Sequence, residues 1–296
     1  MGLKENLTQI YDKQYRKLII IPAILILLSI GVIVANYAGT GEWFKKDVSL
    51  KGGITITVFS ERQVDADSVQ GQMSRQLGRD VSVRLLSQAG ALTGFVVDAE
   101  GAENDVEATI KSLESIVGPL DREQYSVQVI GSTLSESFLR EAAVALLIAF
   151  ALMGLTVLIY FRAFVPSLFV ISAVLSDILC TFAVMVLLNE RLSSAGMAAF
   201  LMLIGYSVDT DILLTTRVLQ GREGTVFERT VGAMKTGVFM TLTALAATIA
   251  GLLITQSEVI RQIMLVLSVG LVFDMIHTWL TNATVLRWYL ERRQAA

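Results

Sequence analysis

Six stretches of the chain are apolar for about the 20 residues that an α-helix needs to cross a ~30 Å hydrocarbon layer. They are 18–37, 142–161, 165–188, 192–214, 236–255 and 262–288. The first, second and fifth carry no charge. The third holds Asp177, the fourth Asp209 and Asp211, and the sixth Asp274, His277 and a terminal Arg287. The first stretch is longer than a signal-peptide core of ~7–15 residues, and no small-x-small site follows it, so it reads as an uncleaved anchor.

Residues 38–139 have a different rhythm. Ile54, Ile56 and Val58 alternate with Thr55, Thr57 and Phe59, the period of a strand. Val69, Met73 and Leu77 fall four apart behind Asp65 and Asp67, which predicts a helix with an acidic first turn. Val81, Val83 and Leu85 alternate again, Ala89-Gly90 punctuates, and Phe95-Val96-Val97 continues as the second arm of a hairpin. Val106, Ile110, Leu113 and Val117 form another helical stripe, stopped by Gly118-Pro119, and Tyr125, Val127 and Val129 close the set. The order is βαββαβ, a ferredoxin-like arrangement that by itself names no function. The division expected is a first segment of N-terminus and span one (1–37), an α+β domain (38–139) and a five-helix bundle (140–296).

Composition supports a membrane protein. Of the 296 residues 53% are hydrophobic and 17% charged, against about 25% charged in soluble domains. A net charge of −3 offers nothing to a phosphate backbone, so nucleic acid is not an expected partner. The single cysteine and single histidine exclude an internal disulfide and cysteine or poly-histidine metal cages, and no Gly-x-x-x-x-Gly-Lys loop occurs, so no cofactor is expected. The domain at 38–139 carries 15 acidic and 9 basic residues, as a solvated piece should. Basic residues at span ends set the orientation. Lys4, Lys13, Arg16, Lys17, Arg162, Arg217, Arg222, Arg229, Lys235, Arg287, Arg292 and Arg293 share one side, against Arg140, Arg191 and Arg261. Both termini are therefore expected in the cytoplasm and 38–139 outside.

The charged groups within spans are the candidate chemistry, because a mid-membrane carboxylate costs roughly 2.5–3.5 kcal/mol on insertion scales and marks function by default. Asp209 and Asp211 lie two apart, about 200° around a helix, and cannot share a face. One bland alternative keeps them wet at the end of span four, paired with Arg217. Asp274, His277, Thr278 and Thr281 fall at i, i+3, i+4 and i+7, a polar stripe down span six. A carboxylate beside an imidazole can pass a proton, or the stripe can simply hydrogen-bond its neighbours. Asp177 in span three is placed to line the same interior. Gly237, Thr241, Ala244, Thr248 and Gly251 make a small-residue stripe on span five, best read as helix packing.

The segment Gly205-Tyr206-Ser207-Val208-Asp209-Thr210-Asp211-Ile212-Leu213-Leu214-Thr215-Thr216-Arg217 resembles the fourth-span signature of the SecF family, accessory subunits of the Sec protein-export machinery. Leu50-Lys51-Gly52-Gly53 sits where SecF proteins enter the exterior domain, the run from Gly131 to Ala145 resembles the family's lead into span two, and Asp274, Thr278, Trp279 and Asn282 resemble the archaeal form of span six. The resemblance covers essentially the whole chain. It implies a six-span half of the RND-type architecture, paired with SecD beside a SecYE-type channel, handling exported polypeptide chains within the lipid bilayer of the cell membrane. In bacterial relatives the proton gradient drives such a pair. Bacterial SecF has Asn-Asp-Thr where this chain has Asp209-Thr210-Asp211, which sets Thr210 on the bacterial acidic position while Arg217 still aligns. The ion-coupling candidates are thus Asp209, Asp211, Asp274, His277, Arg217 and Asp177, with no catalytic residue expected. Two alternatives belong to other classes: half of a small-molecule exporter, or an intramembrane protease using Ser207 with His277, or Asp209 with Asp274.

Overall fold

The computed structural model describes residues 15–60, 64–88, 91–221, 223–255 and 257–295. Ala89-Gly90, Lys4, Lys13 and Arg222 lie outside the described residues. Span one is α1 (Tyr15–Thr40), followed by the short α2 (Val48–Lys51). The α+β domain then runs β1 (Gly53–Phe59), α3 (Ala66–Leu77), β2 (Val81–Gln88), β3 (Ala91–Ala99), α4 (Val106–Val117) and β4 (Tyr125–Ile130). Four long helices follow: α5 (Ser132–Phe161), α6 (Phe164–Leu187), α7 (Ser194–Gln220) and α8 (Val226–Ile254). The last span is composite, with α9 (Glu258–Ile276), a π-helical turn (His277–Asn282) and α10 (Ala283–Ala295). Among the described residues six helices are long and apolar enough to cross a membrane, at the positions the apolar stretches predict.

The βαββαβ order is as expected, and the strands form one antiparallel sheet in the order β2-β3-β1-β4. Ile54, Ile56 and Val58 point from the central strand into a core with Met73, Leu113, Phe95 and Val97. Each such side chain contributes about 1.5–3 kcal/mol of transfer free energy, an upper estimate relative to an extended chain. Asp65 caps α3 by accepting from the backbone N–H groups of Asp67 and Ser68, and Gly78 ends it with φ 63°. Gly53 is required on entry to the sheet: its φ is 142°, and a Cβ there would lie 2.5 Å from the Ala99 carbonyl oxygen. One expectation fails. Val81 and Val83 are buried but Leu85 is 47% exposed. At this end of β2 the opposite face meets the bundle, through Arg84 and Leu86, and the ladder shifts register between Leu86 and Ser87.

In the bundle α7 is central, touching α5, α6, α8 and α9, while α1 packs on α6. Large apolar side chains such as Leu27, Leu147, Phe164 and Phe239 stand on the outer faces, as expected of helices solvated by lipid. Ser193 caps α7, and Gln262 Oε1 accepts from the N–H groups of Ser193 and Gly196 while its Nε2 donates to the Arg191 carbonyl. That one side chain pins the start of α7 to the start of α9. At the other end Thr284 donates to the Tyr15 carbonyl and Tyr15 donates to Glu291, so both ends of the described chain lie on one side of the bundle.

Candidate functional site

Three helices bring eight polar side chains together in the bundle interior. Asp177 comes from α6, Ser207, Thr210 and Asp211 from α7, and Asp274, His277, Thr278 and Asn282 from the end of α9 and the π turn. All eight are buried. His277 Nδ1 lies 2.6 Å from Asp177 Oδ1, and Ser207 donates to Asp177 Oδ2 at 2.5 Å. The other imidazole nitrogen faces Cys180 Sγ at 3.9 Å. Thr210 Oγ1 lies 3.0 and 3.1 Å from the two Asp274 oxygens and 2.9 Å from the Ser207 carbonyl. Thr278 Oγ1 stands between Asp211 Oδ1 (3.0 Å) and Asp274 Oδ1 (3.2 Å), and Asn282 Nδ2 donates to Asp211 Oδ1 at 2.7 Å. The result is a file from His277 to Asn282 made of two hydrogen-bonded runs that meet at Ser207, whose hydroxyl serves Asp177 and whose backbone carbonyl serves Thr210.

Each hydroxyl in the file has one proton and two acceptor lone pairs, so its bonds reverse by rotation. With Asp274 ionised, Thr210 donates to it. With Asp274 protonated, Asp274 donates to Thr210 Oγ1, and Thr210 donates on to the Ser207 carbonyl. The file therefore accommodates a proton gained or lost at Asp274 without moving a heavy atom. Asp177 and His277 form the one carboxylate–imidazole pair in the interior among the described residues.

The structure sorts the candidates read from sequence. It brings together Asp177, Asp211, Asp274 and His277. Asp209 points out of the bundle and is exposed, on the opposite side of α7 from Asp211. Arg217 is also exposed and donates to the Gly232 carbonyl at 3.0 Å. The wet pairing of Asp211 with Arg217 is thereby corrected, because Asp211 is fully buried and takes its hydrogen bonds from Thr278 and Asn282. The span-six stripe is also modified. The π turn is wider than an α turn, so Thr281 rotates out of the row and Asn282 takes its place. Periodicity at 3.6 residues does not anticipate this. The Ser207 hydroxyl donates to Asp177 rather than to His277, so serine and histidine are not arranged as nucleophile and base.

A second cluster went unread in the sequence. Arg84 on β2 lies 2.5 Å from Asp98 Oδ2, 3.4 Å from Asp47 Oδ1 and, through Nη1, 2.9 Å from Glu258 Oε1 at the start of α9. Arg261 continues the chain from Glu258 (2.8 Å) to Glu190 (2.9 Å). Arg84, Asp47, Asp98 and Glu258 border a cleft of about 350 Å³ between the sheet and the bundle. The available signal was an arginine on a strand whose other residues are mostly apolar. One helix, α9, thus has the ion cluster at its start and the buried file at its end.

The small-residue stripe on α8 packs as expected. A Cβ on Gly237 would lie 2.4 Å from the Trp279 ring, and Ser268 donates to Thr248 at 2.9 Å. Gly237→Val should therefore push Trp279 and the π turn aside, at a cost of about 1–3 kcal/mol. A fall in melting temperature of the purified chain, measured by intrinsic tryptophan fluorescence, is the expected result; an unchanged midpoint would contradict the contact.

Six helices of membrane-spanning length enclosing a buried carboxylate file, with one α+β domain after the first, define a multi-span membrane protein among the described residues. A family model described as "Protein export membrane protein SecD/SecF, C-terminal" matches residues 109–292. The "Protein-export membrane protein SecF" of Methanothermobacter thermautotrophicus is 40% identical over 286 residues, which is 95% of this chain and 94% of the relative. That of Pyrococcus furiosus is 36% identical over 293 residues, 99% and 97% of the two chains. This chain belongs to the SecF family. Among solved structures, SecDF of Thermus thermophilus, described as a translocon-associated membrane protein, shares the fold with a TM-score of 0.76 at 19% identity. The match covers 99% of this chain and 40% of that one, so this chain spans less than half of that protein.

Proposed function

We propose that this chain works in protein export across the cytoplasmic membrane, as the subunit that pairs with a SecD-type half and stands beside a SecYE-type channel through which polypeptide chains leave. The near full-length similarity to SecF proteins supports the role. Asp209 supports the pairing, since a carboxylate on the outer face of a span is costly against lipid and calls for a polar partner. The basic residues at the span ends support cytoplasmic termini and an outside position for 38–139.

The observation that carries the mechanism is the buried file at one end of α9 and the Arg84–Glu258 contact at the other. Entry of a proton at the file changes which hydroxyls donate and which carboxylates are charged, and α9 transmits the resulting shift to the α+β domain. The work is conformational, with no covalent chemistry. The test is replacement of the native gene by a tagged copy, with export and co-purifying chains measured in the same membranes. A second six-span protein of matching topology should co-purify, and loss of the chain should slow export of secreted proteins. Recovery of a stable chain alone, from cells whose export is unaffected by its deletion, would overturn the reading.

A further inference from the structure

The file does not use all of its oxygens. Asp211 Oδ2, Thr215 Oγ1 and Asn282 Oδ1 are buried and have no hydrogen-bond partner. Their residues are at most 1% exposed. Thr215 follows Asp211 by four residues on α7, so the two side chains lie one above the other on one face. Asn282 is fixed beside Asp211 by its own Nδ2, which donates to the other carboxylate oxygen at 2.7 Å. Three unpaired acceptors at one place in a membrane interior are expensive, because each loses its water without a replacement. Asp177 has His277 opposite, but Asp211 has only neutral donors, and its neighbour across Thr278 is a second carboxylate, Asp274.

We infer that Asp211, Thr215 and Asn282 form a binding site for a small dehydrated monovalent cation of the Na⁺ class. All three free ligand atoms are oxygens, which suit a hard cation. One carboxylate with two neutral oxygens balances a single positive charge. Among the described residues no group of three His, Cys, Asp or Glu side chains is placed to hold a metal ion, which argues against a divalent occupant. The π turn that carries Asn282 toward α7 is a form of backbone found often at functional sites. The inference rests on the reading that this interior carries the coupling ion, and gives the Asp211 end a cation where the Asp177–His277 end is built for a proton.

Thr215 gives a clean test, because its hydroxyl makes no hydrogen bond to lose. The full chain, purified with any subunit that accompanies it, is reconstituted in lipid nanodiscs. Binding of ²²Na⁺ is measured, and thermal midpoints are compared in NaCl, KCl and choline chloride at equal ionic strength. Na⁺ should raise the midpoint above choline and bind saturably. Thr215→Val should weaken Na⁺ binding at least about tenfold, the scale expected for a metal-site substitution. Its midpoint in choline should hold or rise, since a buried unpaired hydroxyl is gone. Thr215→Ser should restore the affinity. A wild-type chain indifferent to Na⁺, or a Thr215→Val chain with unchanged affinity, overturns the cation site. If export stimulation in that wild-type chain still follows an imposed pH gradient, the coupling reading stands without it.

Discussion

Asp177→Asn should abolish the stimulation of export while leaving the chain folded and assembled. The carboxyl group accepts from Ser207 and is hydrogen-bonded to His277 in a fully buried setting. Asparagine keeps the volume and one acceptor oxygen, and as a neutral group it is cheaper to bury than a carboxylate. What it removes is the charge opposite the imidazole, and with it the ability of the pair to hold a proton. Stimulation is expected to fall to the level of a strain without the chain, and Asp274→Asn should do nearly as much. His277→Gln should act through the same pair and lose most of the effect. Asp209→Asn should instead leave stimulation in proportion to partner recovery, because that side chain faces outward. Export and complex yield measured in the same membranes separate these outcomes. Full stimulation in both Asp177→Asn and Asp274→Asn would leave ion coupling through the file without support.

The elements and the interior differ in how far they can be read from the chain. Spans are legible because lipid demands about 20 apolar residues in a row, and the α+β domain because its strands and helices keep periods of 2 and 3.6. Hence Ile54, Ile56 and Val58 point inward as their alternation requires. The identities of the intramembrane charges are equally plain, since each is a costly exception. Which of them meet is another matter. The 200° between Asp209 and Asp211 requires opposite faces but does not say which face is inside. Packing of α6 and α9 against α7 decides that, and it places Asp211 in the file and Asp209 outside. The π turn at His277–Asn282 depends on tertiary context and has no signature in hydrophobic period, so Asn282 appears through family resemblance while Thr281 is wrongly placed in the row. Arg84 was missed because its partners are 14, 37 and 174 residues away and nothing local marks them.

That distant cluster sets the second large effect. Arg84→Met should destabilise the chain by about 3–5 kcal/mol, the usual result of removing one member of a buried ion pair. Asp98 is 1% exposed at its side chain and, among the described residues, would keep the hydroxyl of Thr55, 2.8 Å away, to meet its charge. Arg84→Lys should recover only part of this, because one ammonium cannot fork to Asp98 and Glu258 as the guanidinium does. Adding Asp98→Asn to Arg84→Met should recover much of the loss, since the most deeply buried carboxylate is then neutral, while Asp47 still lacks its cation. The loss should also depend on pH. Asp47 is held above the ordinary carboxylate range by burial first and then by Asp98, and Arg84 opposes that shift. A carboxyl with a raised native pKa binds its proton more tightly folded than unfolded, so its favourable contribution is present in acid and fades as pH rises through the raised value. Without Arg84 the opposition is gone, and the deficit should be greatest at neutral pH and shrink toward pH ~4, where free carboxylates begin to protonate. Thermal midpoints of wild type and the three variants across that range decide it. A deficit independent of pH, or a double variant no better than Arg84→Met, would show that the cluster is not what holds the sheet to α9.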